Sequence, residues 1–227
     1  MIFRKYARFR SQLVPYLVSH GWAASETGTP LMRPLVMEFP DDPAGYAFDL
    51  QYCLGRELLV SPVVSTEGWV TTHLPPGRWM DWWSGTVHLG PMTLRRQVPL
   101  RELPLYLREN SLLVLGPVRS HVAERAADPL TVEAFVTSDA TFALRTDAER
   151  VDFRCRRHER RIIFEASRTA ATVVLRLHDV DPPAAAMADG QPLPRLERDR
   201  LDGADRGWAV DGRTTILKAR ARELRTE

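Results

Sequence analysis

The chain has 227 residues, 44% hydrophobic and 26% charged, which suits one or two folded domains and excludes a peptide or a wholly disordered segment. Lysine plus arginine at 31 against aspartate plus glutamate at 29 leaves a net +2, too balanced for bulk attraction to nucleic acid or an anionic membrane. No apolar run approaches the roughly 18 residues of a membrane span, and MIFRKYARFR at the N-terminus lacks the apolar core of a secretory signal, so a cytoplasmic location is expected.

Phe3, Tyr6, Phe9, Leu13 and Leu17 recur at three- and four-residue spacing with Arg4, Arg8, Arg10 and Gln12 between them, the period of an amphipathic helix over roughly residues 3 to 24. Pro15 lies inside that run, deletes a backbone donor and predicts a kink. Gly28 and Pro30 mark a stop. Leu31 to Phe39, bounded by Pro30 and by Pro40-Asp41-Asp42-Pro43, reads as a strand feeding a loop. Helix then buried strand is the cadence of an α/β unit, and one such unit cannot bury both of its apolar faces alone.

From about residue 57 the pattern becomes all-β. ELLVSPVV, WVTTHL and SLLVL are separated by Gly and Pro turns every eight to twelve residues, and the first group ends near Gly116-Pro117. The polar, Ala-rich stretch 118 to 128 separates it from runs at 130 to 137, 141 to 145, 150 to 155, 161 to 166 and 171 to 178, a second sandwich-like unit. Residues 181 to 207 read as a long irregular connection, and 208 to 218 as one or two last strands before a charged tail.

LPPGRWMDWWSG at 74 to 85 is the densest motif. It reads as a hairpin flanked by a Pro-Pro-Gly turn and a Ser-Gly turn, and strand alternation places Trp79, Asp81 and Trp83 on one face and Met80 and Trp82 on the other. The functional alternative is a carbohydrate-stacking platform, because an exposed indole offers a flat apolar face with a polar edge. Glu38, Asp41, Asp42 and Asp49 form the carboxylate cluster nearest the helix and strand. A glycosidase needs two carboxylates, but adjacent Asp41 and Asp42 in a Pro-flanked turn suit local backbone hydrogen bonds better. Arg154, Arg156, Arg157, Arg160 and Arg161 with His158 bridge two strand-like segments, so a solvated hairpin tip is favoured over a nucleic-acid patch. Cys53 and Cys155 belong to no CxxC or Cys/His cluster and read as reduced, packed thiols. His20, His73, His88, His121 and His178 are scattered, and no Gly-rich phosphate loop or nucleophile elbow occurs, so no cofactor and no metal is implied.

GTPLMRPLVMEFPDDP (28 to 43), QYCLGRELLVSPV (51 to 63), LPPGRWMDWWSG (74 to 85) and LPLYLRENSLLVLG (103 to 116) resemble, in order, the C-terminal part of glycoside hydrolase family 31. MEFPDDP and LYLRENSLL look more like the α-xylosidase branch than the α-glucosidase branch. The resemblance implies a retaining α-glycosidase acting in carbohydrate metabolism, and a mainly β fold here: the C-terminal remnant of a (β/α)8 barrel (helix plus strand, 1–45), a proximal β-sandwich-like domain (46–117) and a distal one (118–227). It carries over no catalytic residue. The family's nucleophile lies in a Trp-x-Asp-x-Asn-Glu-like motif, whereas the single asparagine here is Asn110 and no Gly-Asp pair occurs near which the proton donor could stand. The chain is therefore expected to be structural support for a barrel and inactive alone, with an α-glycoside substrate only in the full-length context. A separately encoded N-terminal barrel half is one expected partner and a homo-oligomer another; a stand-alone carbohydrate- or protein-binding β module and one half of a split enzyme are the alternatives.

Overall fold

The computed structural model describes residues 2–99, 101–119, 121, 128–147, 149–168 and 171–227. It divides into two compact units, residues 23–109 and residues 1–22 with 110–227. Most of the expected 118 to 128 connection lies outside the described residues. The fold is mainly β.

Helix α1 (Ile2–Gln12) and helix α2 (Val14–Thr27) replace the single amphipathic helix, with the break at Leu13. Pro15 explains it. Lacking an N–H, it cannot donate to the Ser11 carbonyl four residues earlier, and at the break the Gln12 carbonyl accepts from the Gly116 amide at 2.8 Å. A Cβ on Gly116 would come within 3.1 Å of the Pro15 ring, so the chain passes very close to the break. Tyr16 of α2 is fully buried and stacks on Phe142 at 5.7 Å, and the Ser19 hydroxyl accepts from the Arg145 amide. No residue of α1 is buried.

In the unit 23–109, strands β1 (Met32–Pro34), β2 (Tyr52–Leu54), β3 (Leu58–Val60), β4 (Trp69–Asp81), β5 (Val87–Gln97) and β6 (Leu105–Arg108) form one antiparallel sheet in the order β1-β2-β3-β6-β4-β5. The expected strand over 31 to 39 is corrected: β1 has three residues and passes at Pro34 into a one-turn helix, α3 (Leu35–Glu38). Pro34 can donate nothing to a ladder and its φ of −62° already suits a helix start. Since β1 pairs antiparallel with β2, a parallel barrel strand is not evident among the described residues. Leu35, Cys53, Leu59, Leu74, Trp79 and Tyr106 form the core, with Phe39, Phe48, Met92 and Leu94 packed against it.

In the other unit, β7 (Ser111–Leu115), β8 (Leu130–Phe135), β12 (Val173–Leu177), β15 (Gly207–Asp211) and β16 (Thr214–Ala219) make a five-stranded sheet, β15-β16-β12-β8-β7. Its partner sheet, β14-β13-β17-β11-β10-β9, contains β9 (Asp139–Arg145), β10 (Arg150–His158), β11 (Arg161–Ala166), β13 (Ala186–Ala188), β14 (Gln191–Pro192) and β17 (Glu223–Thr226). Alternation is clean: Val151, Phe153 and Cys155 of β10 are buried while Arg150, Asp152 and Arg154 are exposed, and Phe153 meets Phe164 of β11 at 5.4 Å. β8 and β12 pair in parallel, which demands a crossover, and β9, β10 and β11 supply it by passing through the other sheet. The run expected to be irregular, 181 to 207, contains β13, β14 and the helical turn α4 (Arg198–Leu201), and the charged tail supplies β17, whose Leu224 and Thr226 are buried.

Candidate functional site

The Trp-rich motif folds as the expected hairpin, β4 turning into β5. The Pro-Pro-Gly segment makes no turn. It lies inside β4, where the register against β5 shifts between Leu74 and Gly77, and the Pro75 carbonyl accepts the Trp79 indole N–H at 2.8 Å. Trp79, Met80 and Asp81 are all buried, so both faces of β4 are covered here. Asp81 builds the turn. One carboxylate oxygen accepts the Trp83 and Ser84 amides at 2.9 and 3.0 Å, and the other pairs with Arg96 at 2.9 Å. Trp82 and Trp83 are half-buried, and the Trp83 indole N–H donates to the Leu103 carbonyl at 2.6 Å. The polar edge a sugar platform would offer is thus already spent.

Glu38 and Asp42 each have partners of their own. Glu38 is nearly buried amid three guanidinium groups, with Arg33 at 2.9 Å, Arg108 at 3.0 Å and Arg56 at 3.4 Å. Asp42 meets the His73 imidazole at 2.7 Å, both side chains being buried, and Phe48 stacks on that ring at 5.1 Å. Gln51 locks the same strand, its amide donating to the His73 carbonyl and accepting the His73 amide. Asp41 and Asp49 are exposed. A retaining glycosidase needs two carboxyl groups about 5 to 5.5 Å apart with room for a sugar between them. Glu38 and Asp42 instead hold α3 and the Pro43–Ala47 turn onto the sheet.

The basic run is the β10–β11 hairpin, and three of its five arginines are ion-paired: Arg154 with Asp139, Arg156 with Glu165 and Arg161 with Glu227. Cys53 and Cys155 are free and buried, each thiol pushed up to about 12 chiefly by loss of water, with the Glu38 charge adding to the effect at Cys53. Among the described residues no group of three or more His, Cys, Asp or Glu side chains could hold a metal ion. No described helix is long and apolar enough to cross a membrane. Sequence reasoning missed Trp69, exposed at the start of β4 beside a cleft of about 270 Å3; the available signal was an indole directly after the Glu67-Gly68 turn.

Residues 28–113 match the glycosyl hydrolase family 31 C-terminal domain, and this span holds the four motif segments apart from the end of the last. The chain carries a family 31 C-terminal domain. A 1,3-α-isomaltosidase of Kribbella flavida is 42% identical over 122 residues, which is 52% of this chain and 16% of that protein. An α-xylosidase of Saccharolobus solfataricus is 33% identical over 152 residues, 64% of this chain and 20% of that protein. The chain thus spans about a fifth or less of these curated relatives. The cycloalternan-forming enzyme of Listeria monocytogenes superposes on 100% of this chain and 23% of its own, with a TM-score of 0.92 at 22% identity, so the fold extends past the matched segment through both units. The mainly β fold shared with that structure thus covers residues on either side of 28–113.

Proposed function

We propose that this chain serves as the C-terminal β module of a retaining α-glycosidase, α-xylosidase-like in its preference, and that it supports a catalytic barrel while hydrolysing nothing alone. The observation that carries this is the fate of the carboxylates in the family 31 domain. Glu38, nearly buried, is ion-paired with arginines, and buried Asp42 is hydrogen-bonded to the His73 imidazole, so neither is poised as nucleophile or proton donor. The α-xylosidase preference draws its support from the MEFPDDP and LYLRENSLL segments and from a 152-residue match to an α-xylosidase.

The module's physical task follows from what it leaves uncovered. Ile2 and Phe3 of α1 are exposed on a helix with no buried residue, an apolar stripe that a barrel supplied by another part of the enzyme, or by a second polypeptide, would cover. The test is hydrolysis of p-nitrophenyl α-xyloside and α-glucoside by the purified chain, alone and mixed with a family 31 barrel fragment. Silence alone, with activity on mixing and a higher rate on the xyloside, is the expected result. Hydrolysis by the chain alone would overturn the proposal and return Glu38, Asp41, Asp42 and Asp49 to consideration.

A further inference from the structure

We propose a non-catalytic sugar-binding site in the unit 23–109, at the cleft lined by Phe48, Asp49, Leu50, Gln51, Val64 and Trp69, taking one pyranose ring of an α-linked oligosaccharide. The choice of an α-glycoside rests on the function proposed above; the site itself rests on geometry. The cleft holds about 270 Å3, the scale of a single sugar ring and below the usual range of drug-sized sites.

Two groups line this cleft, Trp69 and Asp49, and a third, Arg95, stands beside it on the Trp69 ring. Trp69 is 41% exposed, in contrast to the buried Trp79 and the half-buried Trp82 and Trp83. The Arg95 guanidinium lies 4.9 Å from the Trp69 ring centroid and forms no ion pair among the described residues. The Asp49 carboxylate is exposed and has neither an ion pair nor a hydrogen bond with any described residue. A fixed indole and a free carboxylate in the cleft, with the Arg95 guanidinium stacked on the indole beside it, together offer apolar surface, donors and acceptors with little net charge. That combination suits a neutral polyol whose C–H face stacks on an aromatic ring and whose hydroxyls donate and accept in turn. A charged ligand of either sign would meet one like charge.

The indole is also held in place before any ligand arrives. Gly68, just before it, has φ +79° and donates to the Ser65 carbonyl at 3.0 Å, while its own carbonyl accepts the Val98 amide at 2.9 Å. Arg95 clamps the ring from the neighbouring strand by a cation–π contact. Gln51, which also lines the cleft, is fixed by its two bonds to the His73 backbone. A site built on such elements loses little freedom on binding, which is what lets a small contact area hold a sugar.

The experiment is titration of the full chain with maltotriose and with isomaltotriose, read by calorimetry and by the Trp69 indole N–H resonance, assigned with Trp69→Phe. Saturable binding that moves that resonance is expected. Trp69→Ala should weaken it roughly tenfold with a small fall in melting temperature, because the indole is partly packed under Arg95, and Asp49→Asn should weaken it several-fold with an unchanged melting temperature because that side chain is exposed. Binding that survives Trp69→Ala, or no saturable binding by the parent chain, overturns the site. Neither result bears on the barrel-support reading, which stands or falls by the hydrolysis and mixing test alone.

Discussion

At the scale of single residues, the two thiols make the most direct prediction. Burial raises both from 9.0 to about 12, so each stays protonated in the fold at pH values where an unfolded thiol ionises. A raised folded-state value adds stability that is complete below pH 9 and is lost as pH climbs from 9 through about 12. Denaturation midpoints should therefore fall over that window, and Cys53→Ala/Cys155→Ala should flatten the decline. In the native chain at pH 8, a thiol reagent should label neither cysteine, and urea should expose both. Glu38 is the second case. Glu38→Gln leaves the buried Arg33 without its counter-charge and weakens the Arg108 and Arg56 contacts, which should cost about 3 kcal/mol in a denaturant titration. An unchanged midpoint would show that water solvates this cluster well enough to replace the carboxylate.

Elements explain where local rules hold and where they give way. Pro15 breaks the N-terminal helix because it cannot donate to the Ser11 carbonyl, and at the break the Gln12 carbonyl accepts the Gly116 amide. The Pro-Pro-Gly segment looks like a turn by composition, yet the long β4–β5 pairing carries the chain straight through it with a shift of register. Gly68 allows a sharper test of an element boundary. A Cβ there would sit 2.4 Å from the Val98 carbonyl oxygen, in a backbone conformation that already disfavours side chains. Gly68→Ala should destabilise by roughly 1 to 3 kcal/mol. Gly85 in the hairpin turn has φ +73° but open space around it, so Gly85→Ala should cost about 1 kcal/mol or less. Thermal melts of the pair separate the clash from the backbone preference, and equal losses would remove the clash from the account.

For the whole molecule, the uncovered face of α1 sets the solution behaviour. Phe3 is 81% exposed on a helix with nothing buried, so the chain by itself should self-associate, and Ile2→Ser/Phe3→Ser should reduce that association in sedimentation velocity runs. A strictly monomeric parent at micromolar concentration would count against a covering partner.

The sequence by itself determined the β-rich character after residue 57, the hairpin at 74 to 85, the strands at 130 to 178, the packed thiols and the family, because period-two burial, turn residues and ordered motifs are local properties. It also showed that the four carboxylates lacked catalytic spacing. Only the tertiary structure decided that Leu31 to Phe39 splits into a short strand and a helical turn, that the charged tail ends in β17, that Ser111–Leu115 joins the sheet of β8, and that Trp69 is exposed. Each of these depends on which distant strand supplies hydrogen bonds and which surface removes water from a side chain. Glu38 shows why: its three arginines come from residues 33, 56 and 108, and no spacing along the chain brings them together.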